Sequence, residues 1–144
     1  MTTSDTIYLL RECNSGTQMA VSSIDDILDN VEDNHFRSIL LDSKKHHEQL
    51  GNELHAMLEK CGDTPKDPGA IAKGMSWLKT NAKLMMEDSD RVCAGLITDG
   101  CDMGVKTIHR YLNEYSAADT DAQEKARELI RIEEHLADEM TVYL

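Results

Sequence analysis

The chain has 144 residues, a formal net charge of −12 at pH 7, 40% hydrophobic and 29% charged residues, and only 4% aromatic ones. That length suits one domain with one core, and the scarcity of aromatic and β-branched runs leaves little from which to build strands. So large an acidic excess argues against nucleic-acid and anionic-membrane partners, because phosphate needs Lys and Arg to neutralise it.

The first helix is expected over residues 4–31, capped by Ser4 or Asp5. Its apolar stripe runs Ile7, Leu10, Cys13 or Asn14, Thr17, Val21, Ile24, Leu28 and Val31, the period of a helix with one buried face. Around Asn14 and Thr17 the stripe turns polar. A second helix is expected over residues 35–60. Phe36, Leu40, Ser43, His47, Leu50, Leu54, Met57 and Cys61 follow one another at spacings of four and three, a heptad-like stripe whose polar members are Ser43 and His47. Gly62 suits the residue after its end.

The two prolines, Pro65 and Pro68, lie in the linker that follows. A shorter helix over residues 69–86 is expected beyond them, with Ile71, Met75, Leu78, Ala82 and Met85 on one face and Trp77 beside it. The third long helix starts at Ser89 or Asp90 and reaches residue 115, with Val92 or Cys93, Leu96 or Ile97, Cys101, Val105, Ile108 and Leu112 inward. The last is expected over residues 122–142. Leu129, Ile132, Leu136, Met140 and Tyr143 are placed inward, and Glu133, Glu134, Asp138 and Glu139 outward or beside the stripe.

Two of these helices look alike. Residues 16–28 (GTQMAVSSIDDIL) align on residues 100–112 (GCDMGVKTIHRYL) at an offset of 84, sharing Gly16/Gly100, Met19/Met103, Val21/Val105, Ile24/Ile108 and Leu28/Leu112. The second and last helices align more weakly at an offset of 89, which sets Leu40 on Leu129 and His46 on His135. The expected fold is therefore all-α: an internally repeated four-helix bundle in one domain, with helix pairs at 4–61 and 89–143 and a crossover with a short extra helix at 62–88. Gly16, Gly100 and Gly104 are expected where helices of the two halves come close. The eight methionines are expected mostly in the core.

Two helix pairs, a long crossover and polar positions near the bundle centre resemble the ferritin-like fold. The chain is most similar to small bacterial ferritin-like proteins of unknown function, which carry a GSxxG…W segment in the crossover. Here the crossover reads DPGAIAKGMSWLKTNAK, and Gly69, Gly74 and Trp77 match in order. The resemblance implies a fold and leaves activity open.

A ferritin-like di-iron site takes a Glu from each of two helices and a Glu-x-x-His from each of the others. The corresponding places here hold Thr17 or Gln18, Ser43 with His46, Cys101 or Asp102, and Ile132 with His135. With both bridging glutamates gone, the resemblance argues against a di-iron centre. A mononuclear remnant of His46, His135 and Asp102, with Gln18 as a weak fourth ligand, would suit Zn²⁺ or Fe²⁺. The competing reading has His46 and His135 solvated beside the stripe and His47 hydrogen-bonded in the core. The four cysteines form no CxxC pair and read as small buried hydrophobes.

The N-terminus lacks the basic and apolar regions of a signal peptide, and no apolar run is long enough to span a bilayer, so the expected compartment is the cytoplasm. The expected role is a non-catalytic helical protein without a cofactor that acts by association. It is expected to form a homodimer through Trp77, Met75 and Met85 on the crossover helix. The alternative is a metal-binding ferritin relative.

Overall fold

A computed structural model describes residues 3–63 and 89–144. Within them the chain is all-helical. Helix α1 spans Ser4–Leu28, α2 Asn34–Lys60, α3 Ser89–Glu114 and α4 Thr120–Met140, and a 3-10 turn at Thr141–Tyr143 ends the chain. The expected crossover helix, with Trp77, Met75 and Met85, lies outside the described residues. No helix among the described residues is long and apolar enough to cross a membrane.

The helix ends follow from local chemistry. Thr3 rather than Ser4 caps α1, its hydroxyl accepting the Thr6 N–H. Asp33 caps α2 through the Phe36 N–H at 2.8 Å, and Asp119 caps α4 through the Ala122 N–H at 2.9 Å. Each satisfies a donor that the first turn leaves open. Helix α2 ends at Gly62, whose φ of 77° lies in the left-handed region that glycine adopts without strain.

Contacts at the two ends fix the helix directions. At one end, Thr3 donates to the Ala117 carbonyl, the Ala117 N–H donates to Asp5, and Arg11 Nε donates to Asp63 at 2.9 Å. The start of α1, the end of α2 and the α3–α4 turn therefore lie together. At the other end, Asp90 accepts the Glu32 and Asp33 N–H groups at 2.8 and 3.0 Å, and Tyr143 donates to Asp33. The α1–α2 turn, the start of α3 and the end of α4 meet there. The helices thus run up, down, down, up, and Asp63 and Ser89 stand at opposite ends. Helix α1 packs chiefly on α2 and α3 chiefly on α4, while α4 also lies against α1 and α2.

The buried residues form two apolar clusters, one towards each end. One holds Ile24, Ile27, Phe36, Leu40, Ile97 and Met140, and the other Leu9, Leu10, Leu50, Leu54, Leu58 and Leu129, each with further members. Between them every helix carries a polar or thiol residue. The offset of 84 holds in the burial: adding it to Leu9, Leu10, Cys13, Thr17 and Ile24 reaches Cys93, Ala94, Ile97, Cys101 and Ile108, and all ten are buried.

The offset of 89 between α2 and α4 does not hold. Burial aligns at 86, which sets Phe36, Leu40, Ser43, His47, Leu50 and Leu54 on Ala122, Ala126, Leu129, Glu133, Leu136 and Met140, again all buried. The three-residue slip reverses two assignments. Ile132 is only half-buried, and Glu133 faces inward. A further expectation fails at one of its three positions. Gly100 is exposed, with open space where a side chain would go, while Gly16 and Gly104 do face neighbours, Leu129 and Glu133. Of Met19, Met57, Met103 and Met140, only Met140 is buried.

Candidate functional site

The polar break in the core is a layer built by all four helices. Thr17 on α1, His47 on α2, Cys101 on α3 and Glu133 on α4 are all buried. Each occupies a stripe position flanked by apolar residues three or four places away, so the helical period that buries its neighbours buries it too. Asn14, Ser15 and Ser43 extend the layer, also buried.

His47 is at its centre, with no exposed side-chain surface. Its Nδ1 lies 2.8 Å from the Ser43 carbonyl oxygen. A carbonyl only accepts, so Nδ1 carries a hydrogen and donates. Its Nε2 lies 2.8 Å from Glu133 Oε1. That second contact holds one proton between the two atoms, and the pair is neutral as a whole whichever atom carries it. The link joins the α1–α2 hairpin to the α3–α4 hairpin across the bundle.

Glu133 takes a second donor, the thiol of Cys101. Burial first, and then the charge of Glu133, drive the Cys101 thiol strongly upward from its ordinary value. The other buried thiols move the same way. Burial pushes Cys13 up to about 12 and Cys93 up to about 11. At neutral pH all three are protonated and poor nucleophiles. None of the four cysteines forms a disulfide, and Cys61 is half-buried at the end of α2.

Gly51 lets α1 and α2 close on the layer. A Cβ on Gly51 would meet Thr17 Oγ1 at 2.9 Å, closer than real Cβ atoms come, so α1 and α2 approach here only because residue 51 has no side chain. Thr17 meanwhile donates to the Asn14 carbonyl at 2.8 Å. A Cβ on Gly104 would meet Glu133 at 3.7 Å, an ordinary contact.

The proposed metal ligands stand elsewhere. Gln18, His46, Asp102 and His135 are all exposed. Each is one residue from a layer member (Thr17, His47 and Cys101) or two from one (Glu133), which turns it out of the bundle. His46 and His135 do come together, in an outer groove of about 300 Å³ between α2 and α4, with Asp42, Glu128 and Glu139 nearby in its lining. His135 Nε2 there lies 3.0 Å from Glu139. Gln18 and Asp102 are not part of that groove. Among the described residues, no three His, Cys, Asp or Glu side chains are placed to hold a metal ion. Sequence reasoning missed Glu133. The spacing Ala122, Ala126, Leu129, Glu133, Leu136, Met140 was the signal that places it inward.

No protein-family model matches the chain, and no curated protein matches it. Its structure is similar to the crystal structure of a DUF305 fragment from Deinococcus radiodurans, with a TM-score of 0.77 at 16% sequence identity. The match covers 96% of this chain and 94% of that one. At that identity the likeness speaks to the helical fold alone.

Proposed function

We propose that the chain is a ferritin-like bundle that works by association rather than catalysis. In this reading its centre is a closed hydrogen-bonded layer in the place where metal-binding relatives carry carboxylates. The order up, down, down, up, with one long connection between the second and third helices, supports the ferritin-like assignment. The observation that carries the functional reading is the closure of the layer. Both nitrogens of His47 are already bonded, to Ser43 and Glu133, and Glu133 also receives Cys101. A metal there would have to displace those bonds, and only one carboxylate would face its charge.

The layer joins the two hairpins and fixes their register, a role that buried polar pairs play in other helical assemblies. The association is proposed to be a cytoplasmic homodimer through the apolar face of the crossover segment, with Trp77, Met75 and Met85. A second reading, a weak mononuclear Zn²⁺ or Fe²⁺ site, is favoured by one observation: His46 and His135 share a groove.

The test is elemental analysis of protein purified without chelator, together with light scattering. The proposal expects well under one equivalent of metal and a mass about twice the 16.2 kDa of the chain. One equivalent of zinc or iron, lost in a His46→Ala/His135→Ala variant, would promote the second reading. A monomer at micromolar concentration would remove the association claim.

A further inference from the structure

A second groove, of about 510 Å³, runs between the last turns of α3 and the first half of α4. That volume lies within the range of about 300–1,000 Å³ usual for small-ligand clefts. His109, Leu112 and Asn113 line it from α3, and Arg127, Ile130 and Arg131 from α4. Each set falls at helical spacing on one face, so the groove is a regular product of two packed helices.

Its charge runs against that of the molecule. Asp and Glu make up 27 of the 144 residues, yet among the described residues none lines this groove. The neighbouring groove between α2 and α4 is lined by three of them, Asp42, Glu128 and Glu139. Arg131, which borders both grooves, donates to Glu124 at 3.0 Å. Arg127 forms no ion pair or hydrogen bond among the described residues. The floor is apolar. Ile130 is buried and Leu112 half-buried, both packed on the apolar cluster beneath.

We infer that this groove binds a small organic carboxylate with an apolar body. The carboxylate would meet the planar fork of Arg127, which matches its two oxygens, with Arg131 and His109 beside it. The apolar body would cover Leu112 and Ile130. A bare inorganic anion would leave that floor in water, and a neutral apolar molecule would leave Arg127 without its counter-charge. Both chemistries are needed at once, and that selects the class. The inference is independent of the bundle's central layer.

The test uses the full chain and sodium hexanoate as the probe, followed by backbone amide shifts in NMR. Acetate, phosphate and hexanol serve as comparisons. Expected is a saturable response confined to residues 109–116 and 123–131, tighter for hexanoate than for the other three. Arg127→Gln should weaken it about tenfold, the loss of one charge-assisted bidentate contact, and Arg127→Lys should weaken it less. Arg127 is exposed, so a helical circular dichroism spectrum should persist in both variants. Linear shifts without saturation, shifts centred elsewhere, phosphate binding as tightly as hexanoate, or no change in Arg127→Gln would each overturn the inference.

Discussion

Two pairings of histidine with carboxylate lie close together in this chain and differ sharply in burial. His47 and Glu133 are buried at the centre of the bundle, with side chains 0% and 11% exposed. His135 and Glu139 pair at nearly the same length on the outer face of α4, where the His135 side chain is 71% exposed. A distance of 3 Å means little by itself. Water competes for the outer pair and screens it, so its contribution is close to nothing. The inner pair is largely shielded from water, so breaking it strands a polar group in the core.

Removing one partner from each pair should show the contrast at its largest. Glu133→Ala leaves His47 Nε2 buried without a partner and should cost about 3 kcal/mol in urea denaturation. Glu139→Ala should leave the midpoint unchanged within error. The double variant His47→Leu/Glu133→Leu removes both polar groups and should recover most of the loss, because an apolar pair of similar size strands nothing. Similar losses at Glu133 and Glu139 would erase the distinction between the two sites.

A second effect, smaller, probes the backbone approach behind the layer. Gly51→Ala sets a methyl against Thr17 Oγ1 and should destabilise by about 1–2 kcal/mol through overpacking, even after the gain in helix propensity. Combined with Thr17→Ala the clash disappears, so the double variant should be less damaged than the sum of the singles.

The helices themselves were readable because their stripes are long and regular. Phe36, Leu40, Leu50 and Leu54 needed only the period of 3.6 to be placed inside. The polar members Ser43 and His47 were readable for the same reason. Glu133 was not, because a carboxylate is a surface residue by type even where its position between Leu129 and Leu136 faces inward. A stripe read as Leu129, Ile132 and Leu136 puts Ile132 in its place. Burial depends on the face a residue occupies, and only the partner across the bundle makes a buried acid tolerable. That partner is 86 residues away, and nothing local in the sequence announces it. The four residues of the metal reading do not all come together, for a related reason: His46 and Asp102 sit one position off the inward face, a turn of about 100°. Gly16 and Gly100 align in sequence, yet Gly100 faces solvent, because a shared period does not guarantee a shared neighbour.

Thiol reactivity sharpens the comparison without touching stability. Burial holds Cys13 and Cys93 protonated well above pH 8, with Cys101 further still. Iodoacetamide at that pH should therefore label Cys61 alone in the folded protein, and all four cysteines in urea, read by intact mass. Early labelling of Cys101 would mean that the central layer opens to solvent.

The smallest effect expected is at the end of the bundle. The Phe36 N–H, with help from Tyr143, holds the Asp33 carboxyl below its ordinary value. A depressed carboxylate contributes fully above its unfolded value of about 3.9 and loses that contribution as pH falls through the folded one. Asp33→Asn should therefore flatten the fall in stability below about pH 4 and leave its shape near neutrality unchanged, as followed by thermal melts across pH.

The central claim, that the bundle core is closed by its own hydrogen bonds, is tested most directly by the ring signals of His47. Long-range ¹H–¹⁵N correlation spectra at neutral pH should show a proton on Nδ1, protected from exchange by the Ser43 carbonyl. Titration with Fe²⁺ and Zn²⁺ should leave that signal in place. A bare Nδ1, or a His47 signal that moves and saturates with one or two equivalents of metal while Cys101 and Glu133 respond together, would contradict the account.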